Sequence, residues 1–278
     1  MLSRLTSKID ILRFEEYYIL KNKDIANSIE AIAPLHLQES YDNCGFQVGN
    51  PEEECSGVLI CVDATEEIIQ EAIDKACNLV VTHHPLLFHA VKQVLDRNRM
   101  DRVLFKAIKN NITIYSCHTA IDFAPALGVS MTDAEILGLT DIQPLVKMAD
   151  KTGPVAGELK QRMSVKQAIE HIKKSLDCSA ARLSRYDEKA VVKKIAIGGG
   201  ACGDFIVDAI KAGADIFVTS DCKHNDFIDH QKDIILMDLG HFDTEKCTKL
   251  IFYKIITEKF PNFAVYKSEI EQNPIIYC

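Results

Sequence analysis

The sequence predicts an α/β protein of two similar β-α-β-α-β lobes with mainly parallel sheets. Three observations carry that expectation. Short apolar, β-rich runs alternate with amphipathic helical stretches in both halves of the chain. The halves overlay without a gap, placing Ile60 on Ile197, Ala72 on Ala209, Ile73 on Ile210, Val81 on Val218 and Thr82 on Thr219. The polar clusters of both halves fall at predicted strand ends, where functional groups of parallel sheets collect.

Residues 1–22 form an N-terminal extension. Arg4, Lys8 and Arg13 lie there among apolar residues, but Asp10, Glu15 and Glu16 set it apart from acid-poor transit peptides, and it reads as an extra helix. The first lobe is expected over 23–140. In it, 57–65 (GVLICVDAT) reads as a strand, and 66–76 reads as a helix with Ile69, Ala72, Ile73 and Ala76 at helical spacing. NLVVTHHP is the next strand, stopped by Pro85, and a helix around 101–110 leads to a third strand at 111–119. Residues 141–190 hold one helix (164–176) and few other signals, and read as a connector. The second lobe is expected over 191–278. VVKKIAIGGG reads as a strand, 204–214 as a helix, 215–221 as a strand, 225–231 as a short helix and 233–240 as a strand. A helix over 244–260 and an edge strand, FAVYKSE, close it.

Composition limits what such a chain does. The 278 residues are 47% hydrophobic and 26% charged, the balance of a soluble globular protein. No apolar run approaches the roughly 18–20 residues that cross a bilayer, so no membrane role is expected. Forty acidic against 32 basic side chains give a net charge of -8, which argues against nucleic acid as a partner. The ten cysteines include no CxxC pair, and several sit in apolar runs. They read as reduced, buried thiols of a cytoplasmic protein.

Among the nine histidines, His83, His84, His118 and His241 sit at predicted strand ends, and Asp122 and Glu245 follow two of them closely. Imidazoles and carboxylates in one cleft are the ligand set of zinc, manganese, iron or cobalt. Adjacent His83 and His84 leave the backbone in different directions, which suits two neighbouring ions better than one. Glu245, one helical turn beyond His241, reaches the same place and can bridge a pair. His118 with Asp122 and His241 with Glu245 look like matching His-x-x-x-acid motifs, since Ile112 and Ile235 stand equally far before them. The bland alternatives are hydrogen-bonding histidines, and a helix start at GHFDTEK capped by Asp243 or Thr244.

GGGACG (198–203) fits G-x-G-x-x-G between a strand and a helix, with Asp221 near the end of the next strand. That is the dinucleotide fingerprint on paper. A tight turn, or a cradle of backbone amides for a substrate phosphate, fits the same residues.

DIANSIEAIAPLHLQESYDNCGFQVGN, VTHHPLLF, HTAID, IGGG, VTSDCKHND and DLGHFDTEK occur in this order. The ordered set resembles the NGG-interacting-factor-three-like proteins, also called GTP cyclohydrolase 1 type 2 homologues, from about Lys23 to the C-terminus. The resemblance implies a dinuclear metal site between the two lobes and a homohexamer built as a trimer of dimers. It implies His83 and Asp122 on one metal, His84 and His241 on the other, Glu245 bridging both, and His118 beside them as an acid/base candidate. Tyr41, Ser220 and Thr244 stand where the family commonly has Trp, Gly and Ser, and the chain lacks the central domain of longer members.

The expected function is therefore metal-dependent hydrolysis of a nucleotide or related heterocycle through metal-activated water, with His118 and Glu245 as catalytic candidates. Two alternatives stand beside it: a metal-dependent phosphoesterase using the Gly198–Gly200 turn for phosphate, and a non-catalytic metal-binding or scaffold protein.

Overall fold

In a computed structural model, residues 19–277 are described. Most of the helix expected within residues 1–22 lies outside them. The first described helix, α1 (Asn22–Glu30), buries Ile25, Ala26 and Ile29, and β1 (Gly45–Val48) follows. The first β-α-β-α-β unit comprises β2 (Val58–Cys61), α2 (Glu66–Asp74), β3 (Leu79–Thr82), α3 (Arg99–Lys109) and β4 (Thr113–Ser116). Local chemistry sets its boundaries. Thr65 caps α2 by accepting from Ile68 N at 3.2 Å, and Asn98 caps α3 by accepting from Asp101 N at 3.0 Å, each worth about 1 kcal/mol. Every residue of β2, β3 and β4 is buried, as strands covered on both faces must be.

The chain then runs through α4 (Thr119–Asp122), α5 (Val129–Ile136), β5 (Thr140–Pro144), β6 (Val155–Ser164), α6 (Val165–Ser175) and β7 (Arg182–Leu183). The second unit comprises β8 (Val191–Ile197), α7 (Ile206–Lys211), β9 (Ile216–Thr219), α8 (His224–His230) and β10 (Ile235–Asp238). Helices α9 (His241–Glu245) and α10 (Thr248–Lys259) lead to β11 (Val265–Lys267).

Two sheets result, in the orders β1-β4-β3-β2-β11 and β5-β6-β8-β9-β10-β7. The duplication read from the sequence reappears in their registers. Val58 pairs with Leu79 and Ile60 with Val81 in the first; Ile195 pairs with Ile216 and Ile197 with Val218 in the second, at the positions the gapless overlay brings together. A short antiparallel strand, β1 or β7, flanks the third strand of each unit.

The same registers correct the match between the two His-x-x-x-acid motifs. Thr82 pairs with Ser116 and Thr219 with Asp238, so the counterpart of His118 is Gly240 and not His241. Gly240 turns the chain with φ 85 one residue before α9, and His118 occupies the same place before α4.

Two other expectations are revised. Residues 141–190, read as a connector, supply most of β5 together with β6 and β7 to the second sheet; the alternation of β6 is masked by Gly157 and by its exposed outer half. The second sheet is consequently parallel in its centre, β8-β9-β10, and antiparallel at its flanks. The C-terminal segment does not close the second lobe. Strand β11 pairs with β2, and Phe252, Ile255 and Ile256 of α10 share a core with Ile25 and Ile29 of α1. Each Ile or Phe so buried contributes about 1.5–3 kcal/mol. Helix α5 joins the lobes, placing Val129 in the first core and Ala134, with Leu137 just after the helix, in the second.

Among the described residues no helix is long and apolar enough to cross a membrane, and the nine described cysteines are free thiols.

Candidate metal centre

The polar cluster stands at the carboxyl ends of strands from both sheets. His83 and His84 directly follow β3, and their amides continue the ladder to Cys61 O at 3.2 Å and Val62 O at 2.9 Å, which fixes both Cα positions. His118 and Asp122 flank and end α4, and His241 and Glu245 open and close α9. All six predicted residues are brought together. Three sets of ligand atoms lie within 4.8 Å of one another: His83, His84 and His118; His84, His241 and Glu245; and His83, Asp122 and Glu245.

Glu245 Oε2 is the centre of the arrangement. It lies 2.9 Å from His84 Nε2, 2.9 Å from His241 Nε2 and 3.4 Å from His83 Nε2. His84 and His241 approach through Nε2 at 3.3 Å, and His83 Nε2 is 3.7 Å from Asp122 Oδ1. Ligands about 2.0–2.1 Å from a tetrahedral ion stand roughly 3.3 Å apart, so these groups are close enough to share ions.

The opposite ring nitrogens are all occupied. His84 Nδ1 is held by Asp63 at 3.1 Å, His241 Nδ1 by Asp221 at 2.5 Å, His118 Nδ1 by Asp42 at 2.9 Å, and His83 Nδ1 by the carbonyl of Cys117 at 3.2 Å. A carbonyl only accepts, so His83 Nδ1 carries the proton, and its Nε2 presents a lone pair to the cluster. This is the outer support that orients metal-ligating imidazoles. His83 Nε2 and Asp122 Oδ1 are buried with no hydrogen-bond partner, a costly state that a cation between them relieves. The residues present therefore fit a pair of divalent ions.

Charge is divided unevenly over the cluster. Burial lowers His83 to about 4 and keeps it neutral. Burial also opposes charge on His84, but Asp63 and Glu245 outweigh it and raise the ring to about 10. His241 is raised to about 9 in the same way, through Glu245 and Asp221. Glu245 is held well below the usual carboxylate range, because the surrounding imidazoles overcome its burial. Asp122 is pushed up by burial and by the charge of Glu245.

Asp63, Asp221 and Asp42 are the functional residues that sequence reasoning misses or misreads. The glycine spacing casts Asp221 as a ribose-binding acid, and it supports His241 instead. Each is an acid at the end of a strand or beside a turn, too common a signal to single out before the fold pairs it with a histidine.

The glycine turn also has a different purpose. Gly198 N donates to Val218 O, Gly199 N to Ser130 Oγ and Gly200 N to Thr244 Oγ1, so these amides are not free for a phosphate. A Cβ on Gly200 would stand 2.1 Å from Glu245 Oε1; the turn makes room for the central carboxylate. Neither Asp243 nor Thr244 caps α9, whose N-cap is Gly240. Beside the cluster opens a cavity of about 470 Å³, lined by Tyr41, His118, Phe123, Cys202, His241 and Glu245 among others.

Beneath the site, Asp133 on α5 is buried and its carboxyl is pushed up to about 8, by burial first and against a hydrogen bond with Cys247. An acid protonated in the folded chain and titrating near 3.9 when unfolded favours folding below about pH 4, and that contribution is lost as pH rises through 8. Asp133→Asn is expected to flatten this part of the pH dependence. Urea unfolding of chelator-treated protein between pH 4 and 8 checks it; parallel curves for parent and variant would contradict it.

Two β-α-β-α-β lobes with clustered histidines and carboxylates at their strand ends define an α/β protein with a candidate metal centre. Residues 20–274 match the family model Duf34/NIF3 (NGG1p interacting factor 3), and the chain belongs to that family. A Clostridium perfringens protein named GTP cyclohydrolase 1 type 2 homolog is 38% identical over 232 residues, covering 81% of this chain and 87% of the relative. A Clostridium acetobutylicum protein of the same name is 34% identical over 232 residues, covering 81% and 85%. The fold is shared with the crystal structure of a Bacillus cereus protein related to NIF3, at a TM-score of 0.88 and 24% identity, over 94% of this chain and 99% of that one.

Proposed function

We propose that the chain is a dinuclear-metal-dependent hydrolase of the GTP cyclohydrolase 1 type 2 kind, acting on a nucleotide or related heterocycle. The observation that carries the reading is the set of four imidazoles with Nδ1 tied back, three of them turning Nε2 onto one carboxylate oxygen. In this reading His83 and Asp122 would hold one ion, His84 and His241 the other, and Glu245 would serve both; zinc, manganese, iron or cobalt suits such ligands. When bound, such a pair acidifies a water toward neutral pH and polarises the bond under attack.

The chain's own residues complete the chemistry. His118 lines the cavity, and Asp42 fixes its ring by accepting from Nδ1, while Asp42 itself accepts from Thr119 N at 2.9 Å. Burial would raise the Asp42 carboxyl, but its bonds with His118 and Thr119 hold it well below the usual range, so it stays a charged anchor. His118 is thereby placed to move a proton at the reacting ring. Tyr41 and Phe123 offer apolar surface to a planar substrate. For GTP, one water adds at the imidazole carbon of guanine and opens the ring to a formamide, and a second water hydrolyses that formamide and releases formate. The phosphoesterase alternative lacks its phosphate cradle, since the amides of the glycine turn are spent.

The same reading places the protein in the cytoplasm, in keeping with the free thiols among its described residues, and takes it to be a homohexamer, a trimer of dimers, as the resemblance noted in the sequence implies. Fully metallated protein is expected to release formate from GTP or a related heterocycle, and to stop when a chelator removes the ions. Asp42→Asn should lower turnover about 10²-fold or more at unchanged metal content. Release of phosphate or nucleoside monophosphate would instead mark a phosphoesterase, and no turnover across nucleotides, pterins and phosphoesters would mark a non-catalytic protein.

A further inference from the structure

Resting on that reading of the site, we propose that Glu271, in the segment after β11, is a positioning residue of the metal centre: it fixes Asp63 and, through Asp63, the ring of His84. Strand β11 accompanies β2 only as far as the pair Lys267 and Ile60. Beyond it, the amides of Val62 and Asp63 have no strand to bond on that side. Glu271 Oε1 takes both, at 2.8 Å from Val62 N and 2.9 Å from Asp63 N. The Asp63 carboxylate so placed meets His84 Nδ1 at 3.1 Å.

Glu271 is itself tightly held. Its Oε2 lies 2.8 Å from Lys249 Nζ in ion-pair rather than hydrogen-bond geometry, with the two side chains 5% and 16% exposed. Ser268 anchors the approach: its amide donates to Ile60 O at 2.8 Å, its hydroxyl to Glu71 Oε2 at 2.6 Å, and it accepts from Glu271 N at 3.2 Å. A buried ion pair of this kind adds little net stability, because desolvation offsets the attraction. What it supplies here is fixed geometry next to a ligand.

The segment continues to the other half of the centre. Asn273 Nδ2 donates to Asp243 Oδ2 at 3.1 Å on α9, and Tyr277 Oη fills the space beside Gly240, 2.7 Å from where a Cβ would stand. One strap thus touches the support of His84 and the helix carrying His241 and Glu245.

The test titrates zinc into chelator-stripped, full-length parent, Glu271→Ala, Glu271→Asp and Glu271→Gln, and records ¹⁵N spectra of the histidine rings in the metal-free proteins. Gln keeps an oxygen for both amides and is the conservative rescue; Asp keeps the charge but falls short of the amides, and it decides the matter if the Ala variant does not fold. Glu271→Ala and Glu271→Asp are expected to bind one zinc as the parent does and the second about 10–100-fold more weakly. Their His84 Nδ1 should lose its carboxylate-bonded signal, while Glu271→Gln stays near the parent. Equal weakening of both zinc ions, or parental rings and parental binding in every variant, would overturn the inference. A parent that takes up no zinc would overturn the metal reading instead, and the ring spectra would still judge Glu271.

Discussion

Glu245→Ala is expected to abolish binding of both ions, and turnover with it, in a chain that still folds. Glu245 is the residue common to the two triads made with His84 and His241 and with His83 and Asp122. In the proposed centre its loss would take a ligand from each ion, so a fall in affinity larger than the 10–100-fold typical of outer supports is expected for both. Removing one partner of a buried ion pair commonly costs 3–5 kcal/mol, because the other charge is stranded. Here the imidazoles escape that cost. His84 and His241 are held charged in part by Glu245 itself, and without it they can release their protons. Zinc titration with thermal unfolding of the metal-free protein checks the result. Parental zinc binding by the variant would remove Glu245 from the centre.

Gly200→Ala should be nearly as damaging, although Gly200 carries no functional group. Its φ of +71 costs an alanine roughly 1–2 kcal/mol, and the new methyl would stand 2.1 Å from Glu245 Oε1. The Glu245 side chain is 4% exposed, and its other oxygen is already engaged by His84, His241 and His83. The carboxylate must therefore move away from the imidazoles, and metal affinity should fall with it. Gly213→Ala is the matched control: its φ is +72, but nothing lies within 4 Å of the added methyl. That variant should lose only the backbone cost and bind zinc as the parent does. Equal zinc binding by the two alanine variants would show that the close approach at Gly200 does not matter.

The ligand candidates are legible in the sequence because imidazoles and carboxylates gathered at the ends of apolar strands have few uses besides holding ions, and because duplicated strands announce a sheet whose carboxyl edge gathers them. The supporting layer is not legible. A single acid after a strand, such as Asp63, has many uses, and only folding brings it to His84. Asp221 stands out in the sequence for its distance from the glycine turn, yet its partner is His241 on the neighbouring strand's helix. A glycine motif points to what its amides could bind, whereas the use of these glycines lies in the side chain they lack. Register decides the match between His118 and His241, since counting from an isoleucine in each strand cannot reveal a one-residue offset that pairing exposes. The return of α10 and β11 to the first sheet is hidden for a related reason. A three-residue strand carries no information about which of two similar edges it joins, and the choice is made by α10 packing on α1 and β2.

Metal uptake should also follow pH. With His84 raised to about 10 and His241 to about 9 in the metal-free protein, ions must displace protons, so zinc affinity should rise from pH 6 to pH 8 with net proton release. Calorimetry in buffers of different ionisation enthalpy reads that release; titrations without proton release would contradict it.

The most direct measurement is elemental analysis by inductively coupled plasma mass spectrometry of purified, tag-free protein, before and after stripping and reloading with zinc, manganese, iron or cobalt. About two ions per chain, restored on reloading, is the predicted result. Protein that carries none of these metals and takes none up would contradict the metal centre itself.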